Sequence, residues 1–364
     1  MAKAPEGTAG LTHFDFVVFI HNMSKGIVTR FTGTLMLLFL SLIKGYPQDT
    51  TVYPVRLMFY NVENLFDIYN DSLTDDDEFL PAGVRRWNYQ RYEKKLNSLH
   101  KVIIAAGEWN PPALVGFCEV ENRKVLEDLV FGTNLSKYNY GIIHEDSPDS
   151  RGIDVCLIYR KDYVNVLDYK YFIPPESDNE KFLTRSVLYL KFTILKDTIH
   201  LFVNHWPSRR GGVLAGETQR LKIAEMVKNK TDSIASCSNG KAGIIIIGDF
   251  NSTPDDQTLN LLSGKLKSGL SMINLSAGLP AGTGTYRYMG TWEMIDQVII
   301  SDVFIIGKRG LATDPGMLRI FQPDFLLQND PKYPGQSPNS TYRGYKYQGG
   351  FSDHLPILLD LKMK

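Results

Sequence analysis

Six segments of the sequence place polar side chains of chemically useful types beside strand-like apolar runs. Carboxylate and amide oxygens bind hard divalent cations, a carboxylate can also activate water, and imidazoles can hold phosphoryl oxygens. Together these groups are what metal-assisted hydrolysis of a phosphate ester requires. The residues are Asn61 with Glu63, Glu119, Asn204 with His205, Asp249 with Asn251, Asp296, and Asp353 with His354.

One segment shows the pattern most plainly. The run GIIIIGDFN, residues 243–251, passes from four isoleucines directly to Asp249 and Asn251. Gly, Asp and Asn are also the residues of ordinary turns, and taken alone the segment fits a turn better than a reaction centre. Asp353 could likewise form a turn, and His205 could be a hydrogen-bonded core histidine. The six segments in combination favour a reaction centre, in which rigid strands hold the polar groups in position.

The elements that must position these residues alternate along the chain after residue 50. Runs of β-branched and apolar residues predict eight strands, and helical spacing of apolar residues predicts four helices. The fourth helix is expected to begin with Thr253 as N-cap and Pro254 at its first position. The predicted strands are 55–60, 113–118, 154–160, 187–194, 199–203, 243–248, 297–301 and 355–361, and the other helices are 87–106, 121–130 and 217–235.

The arrangement of these elements indicates one layered domain over residues 50–364. Many strands with fewer helices, several of them joined by short loops, are typical of a layered α/β or α+β domain. In an antiparallel pair, the end of one strand and the start of the next share an edge of the sheet. The sequence therefore predicts that the six polar segments face one crevice.

The order of the segments resembles that of the endonuclease/exonuclease/phosphatase superfamily, which includes deoxyribonuclease I, abasic-site endonucleases, sphingomyelinases and inositol-polyphosphate 5-phosphatases. The order is Asn-x-Glu, Glu, Asn-His, Gly-Asp-Phe-Asn, Ile-Asp and Ser-Asp-His, and it spans residues 55–361. Its strongest pieces are GDFN and SDHLP. The resemblance implies a deoxyribonuclease I-like α/β (α+β) fold: a four-layered sandwich of two mainly antiparallel β-sheets packed face to face, with helices outside.

The resemblance also implies a divalent-metal site. Glu119 would ligate the metal directly, Asn61 would belong to the same site, and Asp353 would support the ion from the other side. Glu63 stands where some members have Asp, and it is assigned to the metal site on that basis. The implied cofactor is Mg²⁺, with Mn²⁺ or Ca²⁺ as alternatives.

A second group of residues would carry the reaction. The resemblance implies that Asp249 orients or deprotonates the attacking water and that Asn251 holds a phosphoryl oxygen. His354, steered by Asp296, would contact the scissile phosphate and stabilise charge in the transition state, while His205 faces it from the other side. No covalent intermediate is needed, so the ester would be cleaved by in-line attack of water.

Three further residues are assigned to the substrate side of this site. Arg185 matches an arginine that contacts phosphate in the deoxyribonucleases, with a salt bridge at a strand start as the equally weighted alternative. Asp154 is the candidate acidic partner of His205, and Asn204 directly precedes that histidine.

Tyr345 is the fourth residue assigned to the substrate side, and its interpretation bears on which substrate the protein takes. It lies in the tract 339–354, where tyrosines alternate with basic residues. The tract could stack a base and pair with flanking phosphates, or it could pack as a loop on the rim. Lys+Arg and Asp+Glu are balanced at 40 each, so no global positive field attracts polyanions.

These observations predict a monomeric, Mg²⁺-dependent phosphoesterase that cleaves nucleic acid or a small phosphodiester. One alternative is a phosphomonoesterase, or a hydrolase like the sphingomyelinases and inositol phosphatases, on the same fold. A non-catalytic binding protein on that fold is the other.

The N-terminal segment predicts export. Lys25 and Arg30 precede the apolar run 31–43, which is the order of a secretory signal, and the run is short for a bilayer span. We therefore expect a signal peptide over residues 23–45, an upstream extension over residues 1–22, and a periplasmic or secreted mature protein without a membrane span. A single membrane anchor is the alternative.

Overall fold

The predicted upstream extension and signal peptide, residues 1–22 and 23–45, lie outside the part of the chain that the structure describes. Within that part, no helix combines the length and the apolar character that crossing a bilayer requires. The computed structural model describes residues 54–175, 183–209, 216–307 and 309–363.

The first of two large sheets has seven strands, and one of its strand pairs is parallel. Its strands are β1 (Val55–Leu65), β2 (Leu114–Val120), β3 (Tyr140–Ile143), β4 (Asp154–Arg160), β14 (Leu311–Ala312), β15 (Leu318–Ile320) and β20 (Ile357–Met363). The strand order is β14-β20-β1-β2-β4-β3, and β15 also pairs with β20. The parallel pair is β1 with β2.

The second sheet also has seven strands and one parallel pair. Its strands are β5 (Asn165–Phe172), β6 (Val187–Ile194), β7 (Asp197–His205), β8 (Gly243–Asp249), β9 (Gly264–Lys265), β10 (Ser271–Asn274) and β13 (Asp296–Ser301). The strand order is β5-β6-β7-β8-β13-β10-β9. The parallel pair is β7 with β8.

Four α-helices, three small hairpins and several short 3₁₀-helices accompany the two sheets in the described part of the chain. The helices are α1 (Tyr89–Gly107), α2 (Arg123–Phe131), α3 (Glu217–Cys237) and α4 (Gln257–Leu262). The hairpins pair β11 (Tyr286–Tyr288) with β12 (Thr291–Glu293), β16 (Leu327–Asn329) with β17 (Gln336–Pro338), and β18 (Tyr342–Arg343) with β19 (Lys346–Tyr347).

The two large sheets pack face to face. A Cβ atom added to Gly116 of β2 would lie 3.0 Å from Val203 Cγ1 of β7, so the sheets approach closely at that point. Phe59 belongs to the core cluster that both sheets share, whereas Met58 and Tyr60 belong to the cluster that includes α1 and α2. This alternation follows from the two-residue period of a strand. The predicted four-layered sandwich is confirmed.

Each predicted strand core corresponds to an observed strand, and one predicted helix start is wrong. α4 begins at Gln257, after Asp256, and not after Thr253. The Asp256 carboxylate accepts a hydrogen bond from Thr253 N at 2.6 Å, and Asp256 N donates to Thr253 O at 3.0 Å. These bonds close residues 253–256 into a turn, so the helix begins after it.

Candidate active site

The ends of four strands bring residues of both sheets to one edge of the sandwich. β1 and β2 are parallel, so Asn61 of β1 and Glu119 of β2 lie toward the same edge. His205 of β7 is in register with Asp249 of β8, and Asp249 is opposite Asp296 of β13. Asn61 connects the two sheets, because its Nδ2 donates to the Asp249 carboxylate at 3.1 Å.

Unusual backbone conformations occur where these strands end. Glu119 has φ of 61° and Asn251 has φ of 47°, a left-handed region that costs a non-glycine residue about 1–3 kcal/mol and is concentrated at functional sites. The residue before Asp249 is Gly248, and a larger residue would not fit there because β7 passes very close. An added Cβ there would lie 2.3 Å from the carbonyl oxygen of Asn204.

His354 and Asp296 form a buried pair. His354 Nδ1 lies 2.7 Å from Asp296 Oδ2, and its Nε2 lies 3.9 Å from Asp249 Oδ2. Burial lowers the pKa of His354, but the negative charges of Asp296 and Asp249 outweigh burial and hold that pKa well above its ordinary value. His354 is therefore an imidazolium with an N–H group near Asp249.

Asp249 is buried and has a pKa suited to proton transfer. Its Oδ1 accepts from Asn251 N at 2.9 Å, and its Oδ2 accepts from Asn61. Burial, together with the charge of Asp296, raises the pKa of Asp249 to about 7. A carboxyl group with such a pKa can take a proton from water near neutral pH. The Asn251 side chain donates to Trp206 O at 3.0 Å.

His205 faces the same site as a neutral imidazole. Its Nε2 lies 3.8 Å from both Glu119 Oε1 and Asp249 Oδ2. Its Nδ1 is buried and has no hydrogen-bond partner among the described residues. Burial, together with the charge of Arg185, holds the pKa of His205 well below its ordinary value.

Asp154 pairs with His144, so the predicted pairing of Asp154 with His205 is wrong. Asp154 Oδ2 lies 2.9 Å from His144 Nε2, and its Oδ1 accepts from Ser147 N at 2.8 Å. Antiparallel pairing of β3 with β4 places the residue after β3 beside the start of β4. His205 ends a strand of the other sheet.

Asn204 is fully buried, and its contacts contradict a role in substrate binding. Its Nδ2 donates to the carbonyl oxygens of Phe202 and Ile247, both at 3.3 Å, and its Oδ1 accepts from Trp206 Nε1 at 3.1 Å. Successive strand residues point to opposite faces. Asn204 therefore points away from the face that carries His205.

Arg185 is also buried, with 6% of its side chain exposed. Its Nη1 donates to Asp149 Oδ2 at 3.0 Å, and its Nη2 donates to Trp206 O at 2.7 Å. This is the salt-bridge alternative that the sequence left open, and it leaves little of the guanidinium for a phosphate.

Both carboxylate oxygens of Glu63 accept hydrogen bonds from the protein backbone, in place of the predicted contact with a metal ion. They accept from the backbone nitrogens of Thr341 and Tyr342 at 2.5 and 2.8 Å. Burial, together with the charge of Asp353, raises the pKa of Glu63 to about 7. The nearby buried cation is Lys95, whose Nζ donates to Glu63 O at 3.2 Å. Glu63 thus fixes a neighbouring segment through both of its carboxylate oxygens.

The remaining oxygen donors fit a divalent cation. The carboxylate of Glu119, whose side chain is 17% exposed, is oriented by Asn61 Nδ2 at 3.4 Å and by Asn64 N at 3.1 Å. Burial, together with the Glu119 charge, raises the pKa of Asp353 to about 6, and Asp296 Oδ1 is buried without a partner in the described part of the chain. A bound cation would relieve this excess of negative charge, and oxygen ligands are those that Mg²⁺ prefers.

Two residues that the sequence analysis did not assign lie beside the site. The ring of Tyr286 lies 4.9 Å from that of His354, centroid to centroid. Arg151 pairs with Asp149, the carboxylate that also binds Arg185. Arg151 is only three residues before Asp154, so its place in the segment SRGID could have suggested it. Tyr286 has no comparable pattern, because a tertiary hairpin brings it to His354.

Tyr345 lies at the tip of the β18–β19 hairpin, with 65% of its surface exposed. The Arg85 guanidinium carbon lies 5.3 Å from its ring centroid. The side chain is available to a ligand, which agrees with its assignment to the substrate without testing it.

A sequence model of the Endonuclease/Exonuclease/phosphatase family matches residues 56–363. No curated protein matches the sequence at a significant level.

Solved structures with the same fold are similar to this chain over most of their length. An endonuclease/exonuclease/phosphatase from Bacteroides vulgatus is 18% identical, with 85% of this chain and 99% of that chain covered and a TM-score of 0.52. A mannosyl-6-phosphatase from Bacteroides thetaiotaomicron is 15% identical, with coverage of 85% and 99% and a TM-score of 0.53. TDP2 from D. rerio complexed with a single-strand DNA product is 14% identical, with coverage of 85% and 98% and a TM-score of 0.52.

Proposed function

The chain belongs to the endonuclease/exonuclease/phosphatase family, whose members hydrolyse phosphate esters, and we propose that it is a magnesium-dependent phosphodiesterase of nuclease type. Its substrate is a nucleic acid or a small phosphodiester. The bond is cleaved by in-line attack of an activated water.

One observation carries the proposal: a buried carboxyl group and an imidazolium face each other where the two sheets meet. Asp249 has a pKa of about 7, and His354 Nε2 lies 3.9 Å from its Oδ2. A site with a proton acceptor and a cation at this separation can activate water and bind a phosphoryl oxygen at the same time. A purely structural cluster would have no need of a carboxylate that is costly to bury.

The roles of the protein residues follow from these positions. Asp249 orients the water and accepts its proton, and the side-chain N–H of Asn61 donates to its carboxylate and holds it in place. His354 donates from Nε2 to a phosphoryl oxygen while Asp296 fixes its ring through Nδ1. Neutral His205 donates from Nε2 to the opposite side of the phosphate, since its Nε2 faces the same carboxylates.

Asn61, Glu119 and Asp353 would hold the divalent cation. When bound, the cation supplies charge neutralisation at a phosphoryl oxygen and at the leaving oxygen. Asn61 and Asn64 orient the ligand oxygens of Glu119 through hydrogen bonds of 3.4 and 3.1 Å. The protein thereby fixes the Glu119 carboxylate before any ion arrives.

Monoester hydrolysis is the second candidate. The likeness to a mannosyl-6-phosphatase supports it, whereas the likeness to TDP2 with its DNA product supports action on nucleic acid. We favour the diester because exposed cations and an exposed tyrosine lie in the tract that leads to Asp353, where they could contact groups beyond the cleaved phosphate.

The test compares turnover of bis-p-nitrophenyl phosphate with that of p-nitrophenyl phosphate, with Mg²⁺ and with EDTA. Diester turnover that EDTA abolishes is expected, and the Asp249→Asn variant should lose it by roughly a thousandfold or more, as expected for an essential general base. Thermal unfolding of this variant should not move to lower temperature, because the substitution removes a buried charge.

Preference for the monoester would instead support the second candidate. Diester turnover that persists in Asp249→Asn would refute the role of Asp249. No turnover of either ester at any tested metal concentration would leave a binding protein as the better interpretation.

A further inference from the structure

We propose that an exposed basic surface beside the active site binds the phosphates and bases of a single-stranded nucleic acid next to the cleaved bond. We call it the hairpin surface, and it consists of Lys94, Arg343, Tyr345 and Lys346. The inference rests on the proposed function, because it names the substrate class of the same site.

The β18–β19 hairpin and the region around the start of α1 form one continuous surface. Tyr342 Oη donates to Arg85 O at 3.0 Å, and Arg85 Nη1 donates to Gly344 O at 3.1 Å. On the other strand of the hairpin, the Tyr347 ring centroid lies 4.2 Å from the guanidinium carbon of Arg91 and 6.0 Å from Lys94 Nζ. Cations at the start of the helix therefore lie against the hairpin.

The exposed cations of this surface form no close ion pairs, although the charge of Arg343 contributes to lowering the pKa of Asp330 after the backbone hydrogen bonds of that carboxylate. Arg85 has a carboxylate partner, Glu78. Among the described residues, no carboxylate lies within 4.0 Å of the side-chain nitrogens of the three exposed cations of the hairpin surface, which are Lys94, Arg343 and Lys346. A chain with no net charge thus concentrates unpaired cations beside its site.

The hairpin itself places two positive charges directly opposite each other. Arg343 and Lys346 are directly paired across the two strands, an arrangement that destabilises a hairpin. Gly344, with φ of 58°, allows the two-residue turn that brings them together. An anion bound between the two side chains would remove the repulsion, and the phosphate of a nucleic acid supplies such an anion.

Tyr345 explains why a strand fits this surface better than a membrane. Its ring is mostly exposed, and a single-stranded base can stack on such a ring while neighbouring cations contact the flanking phosphates. The tip of the hairpin, residues 343–346, reads Arg-Gly-Tyr-Lys and has no aliphatic side chain. Insertion into a lipid surface requires an apolar face.

The hairpin is anchored to the strand that carries the metal site. Both oxygens of Glu63, two residues after Asn61, hold the backbone nitrogens of Thr341 and Tyr342. Lys95 Nζ also donates to Phe351 O at 2.6 Å, two residues before Asp353. A strand bound at the hairpin would therefore be held in a defined position relative to the site.

The test measures binding of a fluorescein-labelled 20-nucleotide DNA or RNA strand by fluorescence anisotropy, with Asp249→Asn as the background so that the strand is not cleaved. Arg343→Gln with Lys346→Gln should weaken binding roughly tenfold. It should also reduce the slope of log K against log salt by about 1.4, because each phosphate contact contributes about 0.7. Tyr345→Ala should weaken binding roughly tenfold through lost stacking.

The matched control is Lys265→Gln with Lys267→Gln. Both lysines are exposed, and they lie beside β10 at the end that pairs with Ser301, which is the opposite end of β13 from Asp296. This variant should bind the strand as the background does. In the active enzyme, the hairpin variant should lose more kcat/KM on the strand than on bis-p-nitrophenyl phosphate.

Unchanged strand affinity and salt slope in the hairpin variant would overturn the inference. An equal loss of kcat/KM on the strand and on the small diester would also overturn it. Binding to phosphatidylserine vesicles is measured with the same variants. A hairpin variant that loses vesicle binding but keeps strand binding would overturn the inference as well. Hairpin-dependent strand binding by a protein that hydrolyses neither ester would support the surface and refute the proposed activity.

Discussion

At the scale of the residue, the site is defined by carboxyl groups whose environments differ. Asp249 and Asp353 are buried near other carboxylates, which raises their pKa values to about 7 and about 6. Asp296 instead faces His354 at 2.7 Å and keeps that imidazole charged. Neighbouring acids of the same chemical type can therefore take different roles, as base, ligand and histidine partner.

The role of Asp296 leads to a prediction about pH. The Asp296 charge raises the pKa of His354, so His354 should stay protonated and active to a higher pH than an isolated histidine. In Asp296→Asn this pKa should fall, and the alkaline limb of the kcat/KM profile should move to lower pH. Diester turnover measured from pH 5 to pH 10 would show the shift.

Asp302→Asn is the matched control, because Asp302 follows the far end of the same strand, β13. Its profile should overlay that of the wild type. An alkaline limb of Asp296→Asn at the wild-type position would contradict the assignment.

At the scale of the element, a buried lysine and a buried glutamate fasten three segments together. Lys95 of α1 donates to Glu63 O of β1 and to Phe351 O, and it also contacts the Thr341 hydroxyl. Glu63 holds the backbone of Thr341 and Tyr342. Burial lowers the pKa of Lys95 to about 8 despite the charge of Glu63.

This cluster predicts a strong coupling between the two side chains. Lys95→Met should lower the free energy of unfolding by about 3–5 kcal/mol, because it removes the hydrogen bonds to Glu63 O and Phe351 O together with the nearby positive charge that favours ionised Glu63. Glu63→Gln combined with Lys95→Met should cost less than the sum of the single changes, because no unpaired charge is left. Urea unfolding of the four proteins at pH 7.5 measures the coupling.

Lys94→Met is the control for this cycle. Lys94 is the adjacent, exposed residue of α1, and its replacement should change the free energy of unfolding by less than about 0.5 kcal/mol. Strictly additive costs of the two buried changes would argue against the cluster.

At the scale of the whole molecule, stability should depend on a histidine far from the chemistry. His200 lies on β7 of the second sheet, and its Nδ1 is 2.8 Å from the hydroxyl of Tyr189. Burial, together with the charge of Lys191, lowers the pKa of His200 to about 4. The unfolded chain, with a histidine pKa near 6.5, binds a proton there at higher pH than the folded protein does.

The sign of the effect follows from this difference. The contribution of neutral His200 is fully present above about pH 6.5 and is lost as the pH falls toward 4. Removing the histidine should therefore reduce the acid sensitivity of the fold. His200→Gln should narrow the difference in unfolding free energy between pH 7 and pH 4.5 by roughly 1–2 kcal/mol, since one pKa unit corresponds to about 1.4 kcal/mol and the ring is partly exposed.

Urea unfolding at the two pH values measures this difference. His100→Gln provides a comparison at a second histidine, on α1, whose pKa is also lowered by burial. The same acid sensitivity in His200→Gln and in the wild type would contradict the assignment.

The sequence by itself determined where the strands and helices lie and which polar residues stand at the strand ends. The apolar runs predict the strand cores, since a two-residue period and β-branched residues are local properties. The polar residues at strand ends, among them Asn61, Glu119 and Asp249, were therefore visible as a group, and the structure brings them together. Export remains a prediction from the N-terminal segment, which lies outside the described residues.

Only the tertiary structure decided which side chains pair with each other. Asp154 bonds to His144, Asn204 turns into the core, and Glu63 holds a hairpin almost three hundred residues away in sequence. The partners of Asp154 and Asn204 depend on strand order, and that of Glu63 also depends on the left-handed conformation of Glu63 and Asn64. Local sequence encodes neither, because a pairing energy is set by residues that are distant in the chain and adjacent only after folding.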